Sequence, residues 1–182
     1  MISKPMKKLV GIVASGLILF SISNIINAEV FIGRFLSGNI KYYTFEGDQA
    51  LTRSAAPIWN NVSSKVTLTE VTDPNVINII LVSSNYLNPP SPGVLGLTSL
   101  YWGQTKVDTT GTWNRAYCYQ YKSSHFPNNQ SRSNTISHEI GHTLSIAHPP
   151  ATDSVSIMRQ GIKSQSTLSA YDRNNLIAKW GS

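Results

Sequence analysis

His138-Glu139-Ile140-Gly141-His142-Thr143-Leu144-Ser145-Ile146-Ala147-His148 places three imidazoles and one carboxylate within a single short stretch. On a helix, residues four apart share a face, so His138 and His142 can grip one metal ion. Glu139, one step round, reaches a water beside that metal as a general base. His148 lies beyond the helix, and the chain must fold back to bring in a third nitrogen. Zinc with three protein ligands keeps a position open for water, which is the catalytic rather than the structural arrangement. In a chain with four His and four Glu, this constellation arises by chance roughly once in twenty thousand sequences. Ile136, Ile140 and Leu144 recur at i, i+4 and i+8, an apolar stripe about half a turn from the two His. One side of the helix can therefore be buried while the other shows metal ligands.

The amino terminus reads as a targeting segment. Lys4, Lys7 and Lys8 precede an uncharged run from Leu9 to Ala28, and Asn27-Ala28 before Glu29 offers a small-residue cleavage site. That is the pattern of a signal peptide over residues 1–28. The run is also long enough to span a bilayer, so an uncleaved anchor is the alternative; Ser15, Gly16, Ser21, Ser23, Asn24 and Asn27 soften it and favour cleavage. Either way the rest of the chain is expected outside the cell, with a membrane as partner only if residues 9–28 remain. Removing residues 1–28 takes three of the fifteen Lys and Arg and none of the nine Asp and Glu, so the net charge falls from +6 to +3. That mild, scattered excess gives no nucleic-acid surface. Residues 29–182 suffice for one domain with a real core and hardly for two. Cys118 is the sole cysteine, which excludes an internal disulfide. Lying inside the domain, in Tyr117-Cys118-Tyr119, it reads as a buried strand thiol rather than a latency switch.

Along the chain, residues 40–45 alternate as a first strand, and 48–62 read as a helix kinked or interrupted by Pro57. Residues 66–71 form a half-buried strand, and 76–82, almost continuously β-branched and apolar, a central one buried on both faces. Pro89, Pro90 and Pro92 make 83–93 a loop; 94–102 and 115–121 are further strands, with Gly111 marking a turn between them. Residues 128–134 approach the motif helix, with Ser133 or Asn134 as its cap. Ser169 and Asp172 make a capping box for a last helix to about Lys179. Strand, helix, several strands and two helices give an α+β domain with one mixed sheet. His125 stands alone and reads as a loop residue.

With Met158 ten residues past His148, in Ser156-Ile157-Met158-Arg159, the extended motif resembles the metzincin clan of zinc metallopeptidases, which places a Met-turn under the metal. Within the clan it is most similar to the matrixins and their small bacterial relatives. Trp59-Asn60-Asn61-Val62 with Leu68-Thr69-Glu70-Val71 is similar to the matrixin first helix and next strand; Leu95-Gly96-Leu97-Thr98 is similar to the edge strand that pairs with substrate. Val107-Asp108 with Trp113, and Leu168-Ser169-Ala170-Tyr171-Asp172 with Trp180-Gly181, continue the likeness in order. The resemblance implies a mixed twisted sheet, an active-site helix, a Met-turn and a C-terminal helix. It implies one catalytic zinc on His138, His142 and His148, Glu139 as base, and hydrolysis of protein or peptide substrates by a secreted monomer. Residues 149–161 would wall the pocket for the side chain after the cut.

Three departures stand out. The family has Gly where Ser145 stands, and a non-Gly residue at positive φ costs about 1 kcal/mol. Thr109-Thr110-Gly111 replaces an acidic cluster after Asp108, so the family's calcium site is reduced or lost. No Tyr follows Met158 as in astacins and serralysins. The rival reading is a catalytically silent, zinc-holding module that binds peptide or cell wall; the presence of Glu139 argues against it. The residues before Ile40 contain no clear propeptide, unless they act as a short one themselves.

Overall fold

Each apolar stripe of the sequence finds a partner layer. The computed structural model describes residues 29–83, 87–122, 126–153 and 155–182, so residues 1–28 and His125, with the readings placed on them, lie outside it. The elements are β1 (Asn39–Gly47), α1 (Gln49–Ala55), β2 (Thr67–Glu70), β3 (Ile79–Ser83), β4 (Gly96–Trp102), β5 (Thr105–Val107), β6 (Arg115–Gln120), α2 (Asn129–Thr143) and α3 (Ala170–Trp180). The six strands form one sheet in the order β2-β1-β3-β6-β4-β5. β2, β1, β3 and β6 run parallel, and β4 is antiparallel to both β6 and β5. This is the α+β architecture with one mixed sheet that the element order implied.

β3 is buried along its whole length, as its unbroken apolar run predicts. Ile79 and Leu81 join the main core with the helices; Ile80 and Val82 pack on the opposite face among Tyr43, Val71, Tyr117 and Tyr119. Ile136, Ile140 and Leu144 of the α2 stripe are 3%, 0% and 0% exposed, each worth about 1.5–3 kcal/mol of burial. Three indole N–H groups then fasten this helix from outside. Trp59 Nε1 donates to the Ser137 carbonyl (3.0 Å), Trp113 Nε1 to that of Thr143 (3.2 Å) and Trp180 Nε1 to that of Leu144 (2.9 Å). A buried indole must find an acceptor; here all three find the same helix and its last turn.

Three boundaries differ from the sequence reading. The helix expected over 48–62 stops at Ala55, and a 3-10 turn at Pro57–Trp59 follows, because the proline ring and its missing N–H end the α-helical ladder. α2 begins at Asn129, not after Ser133 or Asn134, and is capped by Asn128, whose side chain accepts from Ser131 N (2.9 Å). The strand after β4 comes sooner than expected. The turn lies at Gly103-Gln104, where Gly103 takes φ 62°, and the chain returns at once as β5. The capping box of α3 is present with both of its hydrogen bonds.

The residues before β1 are woven into the fold. Val30 bridges Ile146, Phe31 N donates to Ser145 O (2.7 Å), and Ala147 N donates to Glu29 O (2.9 Å). Lys179 of α3 ties the same segment through the Ile32 carbonyl (2.7 Å). Ser145 occupies the turn off α2 at φ 75°, and its fully buried hydroxyl donates to Gly33 O (2.7 Å). The backbone cost of a non-glycine at this position is thereby offset by a long-range hydrogen bond.

Two outcomes follow. Ser145→Ala keeps the positive-φ cost and orphans the buried Gly33 carbonyl, so it is expected to lose about 1–3 kcal/mol. Ser145→Gly loses the same bond but relieves about 1 kcal/mol of backbone cost, so thermal melts should rank wild type above Gly above Ala; Ala at or above Gly would contradict this. Cys118 is 2% exposed, and its thiol is raised well above the usual range by burial and then by the Glu139 charge, against the Thr98 hydroxyl beside it. Native protein should therefore resist a disulfide-exchange thiol reagent that labels it fully in guanidinium; immediate stoichiometric labelling of native protein would contradict that burial.

Candidate metal centre

α2 presents His138 and His142 on one side of its last two turns, and the Ser145 turn sends the chain back so that His148 meets them. His148 Nε2 lies 3.1 Å from His138 Nε2 and 3.1 Å from His142 Nε2, and the three ligand atoms all fall within 4.8 Å of one another. The outer nitrogens of the two helical imidazoles are occupied. His138 Nδ1 donates to the Ile157 carbonyl and His142 Nδ1 to the Ile146 carbonyl, both at 2.9 Å. Those bonds fix the tautomer, so both Nε2 atoms carry lone pairs turned toward His148.

A single proton on His148 Nε2 could satisfy one of these lone pairs, never both. A second proton is not available, because burial above all pushes His138 down to about 4 and His142 well below the ordinary imidazole range. Burial also lowers His148. Three neutral, convergent imidazole nitrogens are a donor set that a divalent cation completes. Among the described residues this is the only group of three His, Cys, Asp or Glu close enough to hold a metal.

The backing of the site comes from a residue the sequence reading saw only as a cap. Asp172, 0% exposed, accepts from Ser169 N (2.8 Å) in the capping box, from Ser156 Oγ (2.6 Å) and from Ile157 N (3.1 Å). Ile157 in turn carries the carbonyl that orients His138. The Met158 side chain packs against Gly141 of the same helix; a Cβ at Gly141 would fall inside the Met158 sulfur and 2.8 Å from the Trp59 ring. Met158, fully buried, thus abuts α2 with no room to spare.

Glu139 is 6% exposed and lies on the cleft side of α2. Burial raises its carboxyl to about 7, against a hydrogen bond from Thr98 that lowers it; a cation on the imidazoles would draw it back down. Thr98 Oγ1 lies 2.7 Å from Glu139 Oε2 and 2.8 Å from the Glu139 carbonyl. The sequence reading placed Leu95, Gly96, Leu97 and Thr98 together as an edge and missed this contact, which no sequence spacing signals.

A cleft of about 940 Å3 runs between β4 and α2, lined by residues 93–98 on one wall, by His138, Glu139, His142 and His148 on its floor, and by Gln160 and Gly161 at one end. Phe31, from the amino-terminal segment, also lines it and stacks on the His142 ring at 5.7 Å and 24°. β5 reaches only as far as Leu100 of β4, so residues 96–99 have an open side among the described residues. Tyr121 N donates to Leu95 O, and the β4–β6 register continues from that pair. The odd residues therefore bond β6, and the N–H and C=O groups of Gly96 and Thr98 face outward. Asp108, by contrast, is engaged by its own turn: one carboxylate oxygen accepts from Thr110 N, Thr110 Oγ1 and Gly111 N, and the Thr110 bonds above all hold its pKa below the usual range.

No family model matches the sequence, and no curated protein matches it. Among solved structures, two of myroilysin share the fold. One superposes with a TM-score of 0.50 at 14% identity, covering 82% of this chain and 96% of that one. The other superposes with a TM-score of 0.50 at 15% identity, covering 88% of this chain and 94% of the other. At such identities the likeness is one of fold: this chain has the mixed α+β architecture of those structures, with three imidazoles placed in it so that they could hold a metal ion.

Proposed function

We propose that the chain is a secreted zinc metalloendopeptidase of the metzincin clan, closest in kind to the small matrixin-type catalytic domains. The observation that carries this reading is the meeting of three convergent imidazole nitrogens with the Glu139 carboxyl in a cleft beneath an open strand edge. His138, His142 and His148 would hold the zinc. Bound there, zinc would supply Lewis acidity, which polarises a carbonyl and lowers the pKa of water towards about 7.

The chain's own groups do the rest. The outward N–H and C=O groups of Gly96 and Thr98 would take an extended peptide as an added antiparallel strand, holding it by main-chain hydrogen bonds that are indifferent to sequence. Glu139 would accept a proton from the attacking water and release it to the leaving amine. Its burial shelters that proton from bulk solvent. Residues 149–161 would bound the pocket beyond the scissile bond; Arg159 stiffens that wall by donating to the Ala151 (2.7 Å) and Asp153 (2.8 Å) carbonyls.

A silent zinc-holding module is the rival, suggested by Ser145, the thin acidic complement and the small size. Ser145 is accommodated in its turn by the bond to Gly33, and the position of Glu139 favours catalysis. Secretion rests on the signal-like sequence of residues 1–28.

The test is cleavage of an unstructured protein such as casein. Wild type should cleave, a chelator should abolish cleavage, and added zinc should restore it. Glu139→Ala should lower turnover by about 10²- to 10⁴-fold while zinc content stays unchanged. Full proteolysis by Glu139→Ala, on every substrate that wild type cleaves, would falsify the assignment.

A further inference from the structure

β4 meets α2 face to face where Glu139 lies, and the contact is made by two residues that share one side of the strand. Residues i and i+2 of a strand point the same way, and here Gly96 and Thr98 both point at the Glu139 side chain. A Cβ on Gly96 would come within 2.5 Å of Glu139 Oε1 and 2.9 Å of its Cγ. Glycine therefore leaves the space in which the carboxylate lies. On the other side Thr98 Oγ1 reaches Oε2 at 2.7 Å. The carboxylate is confined by an absent side chain on one oxygen and by a hydroxyl on the other.

From this geometry we infer that Thr98 is a positioning residue for the general base, an inference that rests on the peptidase reading above. Its hydroxyl has one proton and two acceptors within reach, Glu139 Oε2 at 2.7 Å and the Glu139 carbonyl at 2.8 Å. When Glu139 is a carboxylate, the charge-assisted bond to Oε2 is the stronger and draws that proton. When Glu139 holds the proton taken from water, Oε2–H donates to the Thr98 oxygen, and the Thr98 proton turns to the carbonyl. A hydroxyl is donor and acceptor at once, so the clamp holds through both halves of the cycle, with no bond to hydrogen broken at Thr98. Valine keeps the shape and β-branching of threonine but can do neither; serine keeps the hydroxyl. The same residue's outward backbone is the proposed rail for substrate, so the β4 register ties the peptide and the base to one reference.

The experiment uses the zinc-loaded wild type, Thr98→Val and Thr98→Ser, with steady-state kinetics on an internally quenched peptide taken from a casein site that wild type cleaves. Crystal structures of the three proteins give a second readout that needs no activity. The expected result for Thr98→Val is a fall in kcat of about 10- to 100-fold, the scale of a misplaced catalytic group, with KM within about twofold of wild type because the backbone rail is kept. Zinc content should be unchanged, Glu139 Oε2 should lie away from residue 98, and Thr98→Ser should recover most of the rate. Wild-type kcat in Thr98→Val, a loss confined to KM, or an equal loss in Thr98→Ser would each overturn the inference. So would a Glu139 carboxylate that stays in place in the Thr98→Val crystal. If wild type cleaves no casein, and so yields no site to assay, while Glu139 shifts in the Thr98→Val crystal alone, the clamp stands and the peptidase reading falls.

Discussion

Three imidazole nitrogens that converge within 4.8 Å of one another, His148 at 3.1 Å from each of the other two, form the constraint on which the rest of the structure depends. Neutral nitrogens so placed repel unless something positive lies among them. Their neutrality is built in, because two outer nitrogens are committed to backbone carbonyls and burial disfavours added protons. The fold thus holds together three donor nitrogens that could take a metal ion.

What maintains it is the immobility of α2. The helix is gripped by three tryptophan N–H bonds and by its Ile136–Ile140–Leu144 stripe, and on its α1 side by small hydroxyls: Ser133 meets Ser54 at 2.8 Å, and Ser137 donates to the Ala55 carbonyl at 3.2 Å. His148 is off the helix and needs separate support, which comes from the bridge between Val30 and Ile146 and from the Ser145 turn. Asp172 completes the frame from α3, fixing the Ile157 segment whose carbonyl aims His138. Ligands drawn from two stretches of chain converge because the second, with His148, is tied back to the helix that carries the other two.

Much of this was legible in the sequence, and the reason is spacing. His138, Glu139, His142 and His148 declare themselves because helical periodicity fixes their relation; β3 and the Ser169–Asp172 box do so because a single local rule decides each. The misreadings arose where tertiary contact decides. Ser131, Ser133 and Asn134 look like a solvated approach to the helix, yet all are buried, satisfied by the Asn128 side chain, by Ser54 of α1 and by the Gln165 carbonyl, so α2 starts earlier than its polarity suggests. β5 escaped because a Gly103-Gln104 turn lacks the commonest hairpin pairs. Phe31 on His142, Thr98 on Glu139 and Asp172 behind Ile157 join residues far apart in sequence, and no pattern within one segment reports them.

The central claim is most directly tested by metal stoichiometry and coordination. Zinc content with X-ray absorption at the zinc edge should be measured on the purified chain and on single Ala variants of His138, His142 and His148, each checked for folding by its thermal melt. The account predicts one zinc per wild-type chain, three imidazole nitrogens in its first shell at about 2.0–2.1 Å, and loss of tight binding in each variant that still folds. A folded wild-type chain that takes up no zinc, or zinc retained with an unchanged spectrum after His148→Ala, would contradict it.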